Sequence, residues 1–133
     1  VTDFVRYQSA VPNRRGRFPG IFALTNGLRA AGALSDTDDR WLVAANQRAE
    51  GLYVNPSTVE TRLFDEARNP GARSWFRTSA TALLTMSADY LDLLDRYGVA
   101  WVELRTNSPG RIAYQDDVQI VAVPLTHPSD WPF

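Results

Sequence analysis

The chain predicts a single α+β domain, with N-terminal and central helices packed on a C-terminal antiparallel β-meander and a further strand available from the N-terminal segment. Three observations lead there. Before Gly98 the apolar residues recur at helical spacing, whereas after it Ala100, Val102 and Leu104 alternate with Trp101, Glu103 and Arg105 at the two-residue period of a strand. Glycines, prolines and capping residues mostly fall between the periodic stretches, with Gly27 inside the first helical one as an exception that weakens it or lets a neighbour pack closely. With 133 residues, 44% of them hydrophobic, the chain closes one core but is too short for two ordinary domains. Helices first and strands last then favour helices laid over a sheet.

Taken in order, Phe4 to Val11 mixes apolar and polar side chains and stops at Pro12, as a short strand or extended arm does. Pro19 suits a first helical position, and Ile21, Phe22, Leu24, Leu28 and Ala31 continue the period until Gly32. Ser35 caps the next helix, with Asp36, Asp38 and Asp39 against its positive dipole end, Trp41, Leu42, Ala45, Ala49 and Leu52 as the apolar stripe, and Gly51 as the stop. Asn55-Pro56-Ser57-Thr58 is a turn, and Val59 to Glu66 an irregular connection or a short helical turn. Asn69-Pro70-Gly71 offers an N-cap and a proline at the first helical position, so a helix is expected to carry Trp75, Phe76, Ala80, Leu83 and Leu84. Ser87 is expected to cap a second helix bearing Tyr90, Leu91, Leu94 and Tyr97, so that this region is one bent helix or two. Past Gly98, Arg111 to Gln115 and Val118 to Val123 follow the first strand of the meander. Residues 124–133 form an extended Pro-rich tail within a single domain spanning 1–133.

Composition removes several function classes. All fourteen cationic residues are arginine, so a Schiff base, a lysine-dependent phosphate loop and a lysine general base are excluded. Cysteine is absent, which removes disulfides, thiolate catalysis and cysteine-held zinc and favours a cytoplasmic setting. The start of the chain lacks signal-peptide order, and no apolar run approaches bilayer length, so no membrane association is expected. A net charge of −1 argues against general nucleic-acid binding.

The densest chemistry lies in Asn13-Arg14-Arg15-Gly16-Arg17-Phe18-Pro19-Gly20. Guanidinium forks and the free N–H groups of a helix start both ligate anions, so Arg14, Arg15 and Arg17 above the backbone of Gly20 and Ile21 make a phosphate or carboxylate cradle. The competing expectation is a solvated loop whose arginines pair with Asp36, Asp38 and Asp39. Arg68, Arg73 and Arg77 form a second basic group, with Arg73 and Arg77 one turn apart on the expected helix. Convergence of the two groups would make a strongly electropositive site.

Elsewhere the pattern is plainer. Asp89, Asp92 and Asp95 mark a solvated helix face, Asp116-Asp117 a hairpin turn, and Glu103 with Arg105 an outer-face pair. His127 lies in the tail with no Gly-x-Ser-x-Gly elbow to serve it. No metal ligand set, cofactor motif or catalytic constellation appears. Ala10-Val11-Pro12-Asn13-Arg14-Arg15-Gly16-Arg17, Asn69-Pro70-Gly71-Ala72 with Trp75-Phe76, and Pro109-Gly110-Arg111 together resemble a set of small actinobacterial proteins that carry no assigned activity. The resemblance spans about Tyr7 to Pro124 and implies a compact cytoplasmic protein, with no cofactor or catalytic residue attached.

The leading expectation is therefore a non-catalytic protein-interaction or regulatory domain, self-associating as a homodimer through its surplus of large aromatics, Trp131 and Phe133 among them. Its rival is a small enzyme or binding protein that grips a phosphorylated or carboxylated small molecule through Arg14, Arg15, Arg17, Gly20, Arg73 and Arg77.

Overall fold

A computed structural model describes residues 2–125 and has an α+β fold. Its elements run β1 (Phe4–Ser9), α1 (Ile21–Ala30), α2 (Asp36–Glu50), α3 (Pro56–Val59), β2 (Arg73–Arg77), α4 (Thr81–Arg96), β3 (Trp101–Thr106), β4 (Arg111–Gln115) and β5 (Gln119–Val123). The strands form one antiparallel sheet in the order β3-β1-β2-β5-β4. The N-terminal strand is present and central: six residues of β1 pair with β3, from Phe4 opposite Thr106 to Ser9 opposite Trp101. Consequently β3 is separated from the β4–β5 hairpin, and the two occupy opposite parts of the sheet.

Alternation along β1 and β2 divides the core. Val5 and Phe76 face α1, α2 and α4, where Ile21, Leu42, Leu83 and Tyr90 are buried with them. Phe4 and Trp75, each one residue away, point through to a second cluster with Leu104, Ile120 and Ala122. Thr106 and Arg111 end the two edge strands and are joined by only four residues. Five chain links span at most about 18 Å, while the edges of a flat five-stranded sheet lie about 19 Å apart and are here offset along the strands as well. The sheet must therefore roll, placing the Trp75 cluster inside its curve. A shared hollow lined by Phe4 of β1 and Ile112 of β4 agrees with this.

The α2 signals are read correctly by their chemistry: Ser35 Oγ accepts the Asp38 N–H at 3.1 Å, and Gly51 is the C-cap. Leu52, however, falls outside the buried stripe and is exposed. Downstream, the structure departs from expectation. The Asn69-Pro70-Gly71 segment does not open a helix; Asn69 is buried, donating from Nδ2 to the Leu63 carbonyl and accepting from Arg111. Gly71 then takes φ 73°, a left-handed turn, and the chain leaves as strand β2. Trp75 and Phe76 imitate a helical pair because both faces of β2 are buried. Ser87 is no cap either: α4 is one sixteen-residue helix, and the Ser87 hydroxyl donates to the Leu83 carbonyl one turn back.

Candidate functional site

The β1–β2 ladder contains only two paired positions, Phe4 with Arg77 and Val5 with Phe76. Beyond them the strands part. The end of β1 turns instead to the segment before α1, through a bridge between Gln8 and Gly20 and a 2.9 Å bond from the Ser9 N–H to the Pro19 carbonyl. Arg6 fills the split. Its Nε donates to Gln8 Oε1 at 2.7 Å, Nη1 to the Ser74 carbonyl at 3.0 Å and Nη2 to the Phe18 carbonyl at 2.8 Å. The guanidinium thus satisfies carbonyls on both sides of the opening that a regular ladder would have paired.

Arg6 is half-buried, and no carboxylate pairs with its guanidinium among the described residues. Burial, and secondarily the neighbouring Arg73 cation, draw it down to about 9, still charged at neutral pH. The supporting Gln8 side chain is fully buried, and its Nε2 makes no hydrogen bond among the described residues. A cation held without a counter-ion is costly, as is the unsatisfied Gln8 amide, although Gln8 itself does not line the cleft described next.

Arg6 opens onto a cleft of about 750 Å³. Its walls bring together the loop before α1, the first turn of α1, Tyr53 at the exit of α2, and the 64–74 segment entering β2. The cleft contains four of the arginines, Arg6, Arg15, Arg17 and Arg73, against one acid, Glu66. Gly20 is the N-cap of α1 and supplies no side-chain cap, so the first turn of the helix faces the cleft with its dipole end uncovered. Gly20 also lies close to Arg6: a Cβ there would stand 3.4 Å from Nη1.

The sequence candidates separate as follows. Arg15, Arg17, Gly20 and Arg73 all line the cleft. Arg14 does not line it, and Arg77 is turned away, donating to the Asp116 carbonyl and to Gln115 Oε1 while lying over the Phe4 ring. Arg73 and Arg77 share a strand face rather than a helical one. The loop amides of Arg15 and Arg17 are spent on Asn13 Oδ1, at 2.9 and 3.0 Å, so the loop offers side chains rather than backbone to a ligand. Arg17 pairs with Glu66 at 2.5 Å. Asp38 and Asp39 are instead engaged by Arg96 and Arg29.

Other candidate chemistry is accounted for locally. Asp92 pairs with Arg96, Asp95 accepts from the Trp101 indole, and Glu103 pairs with Arg105. Among the described residues no group of His, Asp and Glu side chains is arranged to hold a metal, and no helix is long and apolar enough to cross a membrane. His127, Trp131, Phe133 and the tail beyond Leu125 lie outside the described residues.

Arg6 is the residue that sequence reasoning missed. Its signal was present: Phe4, Arg6 and Gln8 share one strand face, and a charged residue there is anomalous if that face is buried. Comparison with known proteins returns no matching family model, no matching curated protein and no matching solved structure. What the cleft does has to be read from its own chemistry.

Proposed function

We propose that the chain is a small-molecule binding domain whose cleft takes a phosphorylated or carboxylated ligand. The observation that carries this reading is the Arg6 guanidinium, half-buried in the wall of the cleft with no carboxylate partner among the described residues. A bound anion supplies the missing counter-charge, and the start of α1 adds dipole stabilisation. Arg15 contributes an exposed side chain to the lining, and Arg73 adds positive potential. Thermal melting against phosphate, sugar phosphates, carboxylates and nucleotides tests it. A cleft ligand raises the midpoint with concentration, and Arg15→Gln lowers that gain while leaving the unliganded stability within about 0.5 kcal/mol of the parent. A midpoint indifferent to every anion defeats the reading.

A protein-interaction role, with self-association, has separate support in Leu52, Val54 and Val59, exposed at 38%, 41% and 63% within one short stretch. Under this reading light scattering at micromolar concentration gives a dimer mass, and Val59→Asp returns it to a monomer. A monomer mass for the parent chain rules out the self-association.

A further inference from the structure

Resting on the anion-cleft reading, we infer that the ligand is a phosphate ester carrying a flat ring, of the nucleotide class, with its phosphate at Arg6 and its ring against Phe64. A guanidinium has five N–H donors, and Arg6 commits three to Gln8, Ser74 and Phe18. The remaining two, with Arg15 and the uncovered start of α1, suit a phosphate, whose several oxygens accept in more directions than a carboxylate's pair. The cleft is also far larger than an anion: about 750 Å³ is the size of a site for a whole small molecule.

The rest of that ligand meets aromatic walls. Phe22 and Tyr53 are stacked on each other, 5.1 Å apart at 12°, and Phe22 continues into the core against Tyr90 and Phe76. Phe64 differs. It lines the cleft, is 41% exposed, belongs to neither core cluster, and no aromatic ring packs on it among the described residues. An exposed ring at the edge of an electropositive cleft is the arrangement that stacks a base while cations hold its phosphate.

Calorimetry with AMP, ribose 5-phosphate and inorganic phosphate, on the parent chain and on Phe64→Ala, tests the inference. AMP is expected to bind about 10-fold to 100-fold more tightly than ribose 5-phosphate. Phe64→Ala removes that difference without changing the affinity for ribose 5-phosphate, and Phe64→Trp retains it. The exposure of Phe64 makes loss of folding a minor concern, and a melting curve of each variant checks it. Equal affinities for AMP and ribose 5-phosphate, or an unchanged ratio in Phe64→Ala, overturn the ring assignment while the anion cleft stands. Failure of all three compounds to bind overturns this inference, and the anion reading is then decided by the carboxylates of the melting panel.

Discussion

Arg6 shows how much can gather at one side chain. It stands opposite Leu104 of β3, in a strand whose next inward residue is Gln8, at the point past Val5 where β1 and β2 part, and it bonds to carbonyls on both sides of the opening. Because burial draws its guanidinium down to about 9, ligand binding acquires a pH dependence with a definite sign. A bound anion favours the charged form and raises the pKa in the complex. Below about pH 9 the free site already carries its proton and affinity is flat; above it, binding must take up a proton, so affinity falls by up to about tenfold per pH unit. Titrating phosphate binding from neutral pH to about pH 10.5 measures this, since phosphate stays a dianion over the upper part of that range. Tyr7 and Tyr53 also line the cleft, and burial raises both above the ordinary tyrosine value, so Tyr7→Phe and Tyr53→Phe should keep the fall. A fall abolished by either phenylalanine assigns it to that tyrosine, and a flat profile shows that the Arg6 guanidinium keeps its proton across the whole range.

The elements that were legible are those with local punctuation. Ser35 and the three aspartates announce α2 because capping and dipole effects act within one turn. Asn55 similarly caps the single turn α3, accepting the Ser57 N–H at 3.1 Å. Gly98 separates α4 from β3 at φ 70°. Strand β2 was illegible for the complementary reason: burial on both faces erases the two-residue alternation, and the Asn-Pro-Gly sequence ahead of it is equally good chemistry for a helix start and for a turn. The start of α4 carries no side-chain cap at Ala80, while Ser87 looks like one from its composition alone. Of the site, the basic loop was visible as a cluster, but its convergence with Arg73 depends on β2 being a strand beside β1. No spacing in the chain reports that.

At the scale of the whole molecule, the short link between the edge strands is what keeps the two edges of the sheet near each other. Gly110 lies in that link at φ 117°, and a Cβ there would sit 2.1 Å from the Val123 carbonyl oxygen. The overlap is with backbone, so no side-chain adjustment relieves it. Gly110→Ala should therefore lose about 3 kcal/mol or more in urea denaturation, the sum of left-handed strain and a displaced strand end. A loss under about 1 kcal/mol would show that the β3–β4 link is free to move and that the roll does not depend on it. Because the roll encloses Trp75, Ile120 and Leu104, the same substitution should also shift the tryptophan fluorescence of the folded protein.

What the chain determined by itself was its class and its local stops: the helical period of α1 and α2, the two-residue period after Gly98, caps where short-range hydrogen bonds form, and the exclusion of lysine and cysteine chemistry. Those are consequences of neighbours within a turn or a hairpin. Strand order, the parting of β1 from β2 and the gathering of Arg6, Arg15, Arg17 and Arg73 around one cleft were decided only in the tertiary structure. Each depends on contacts between residues tens of positions apart, such as Arg6 with Ser74, and local propensity carries no record of such partners.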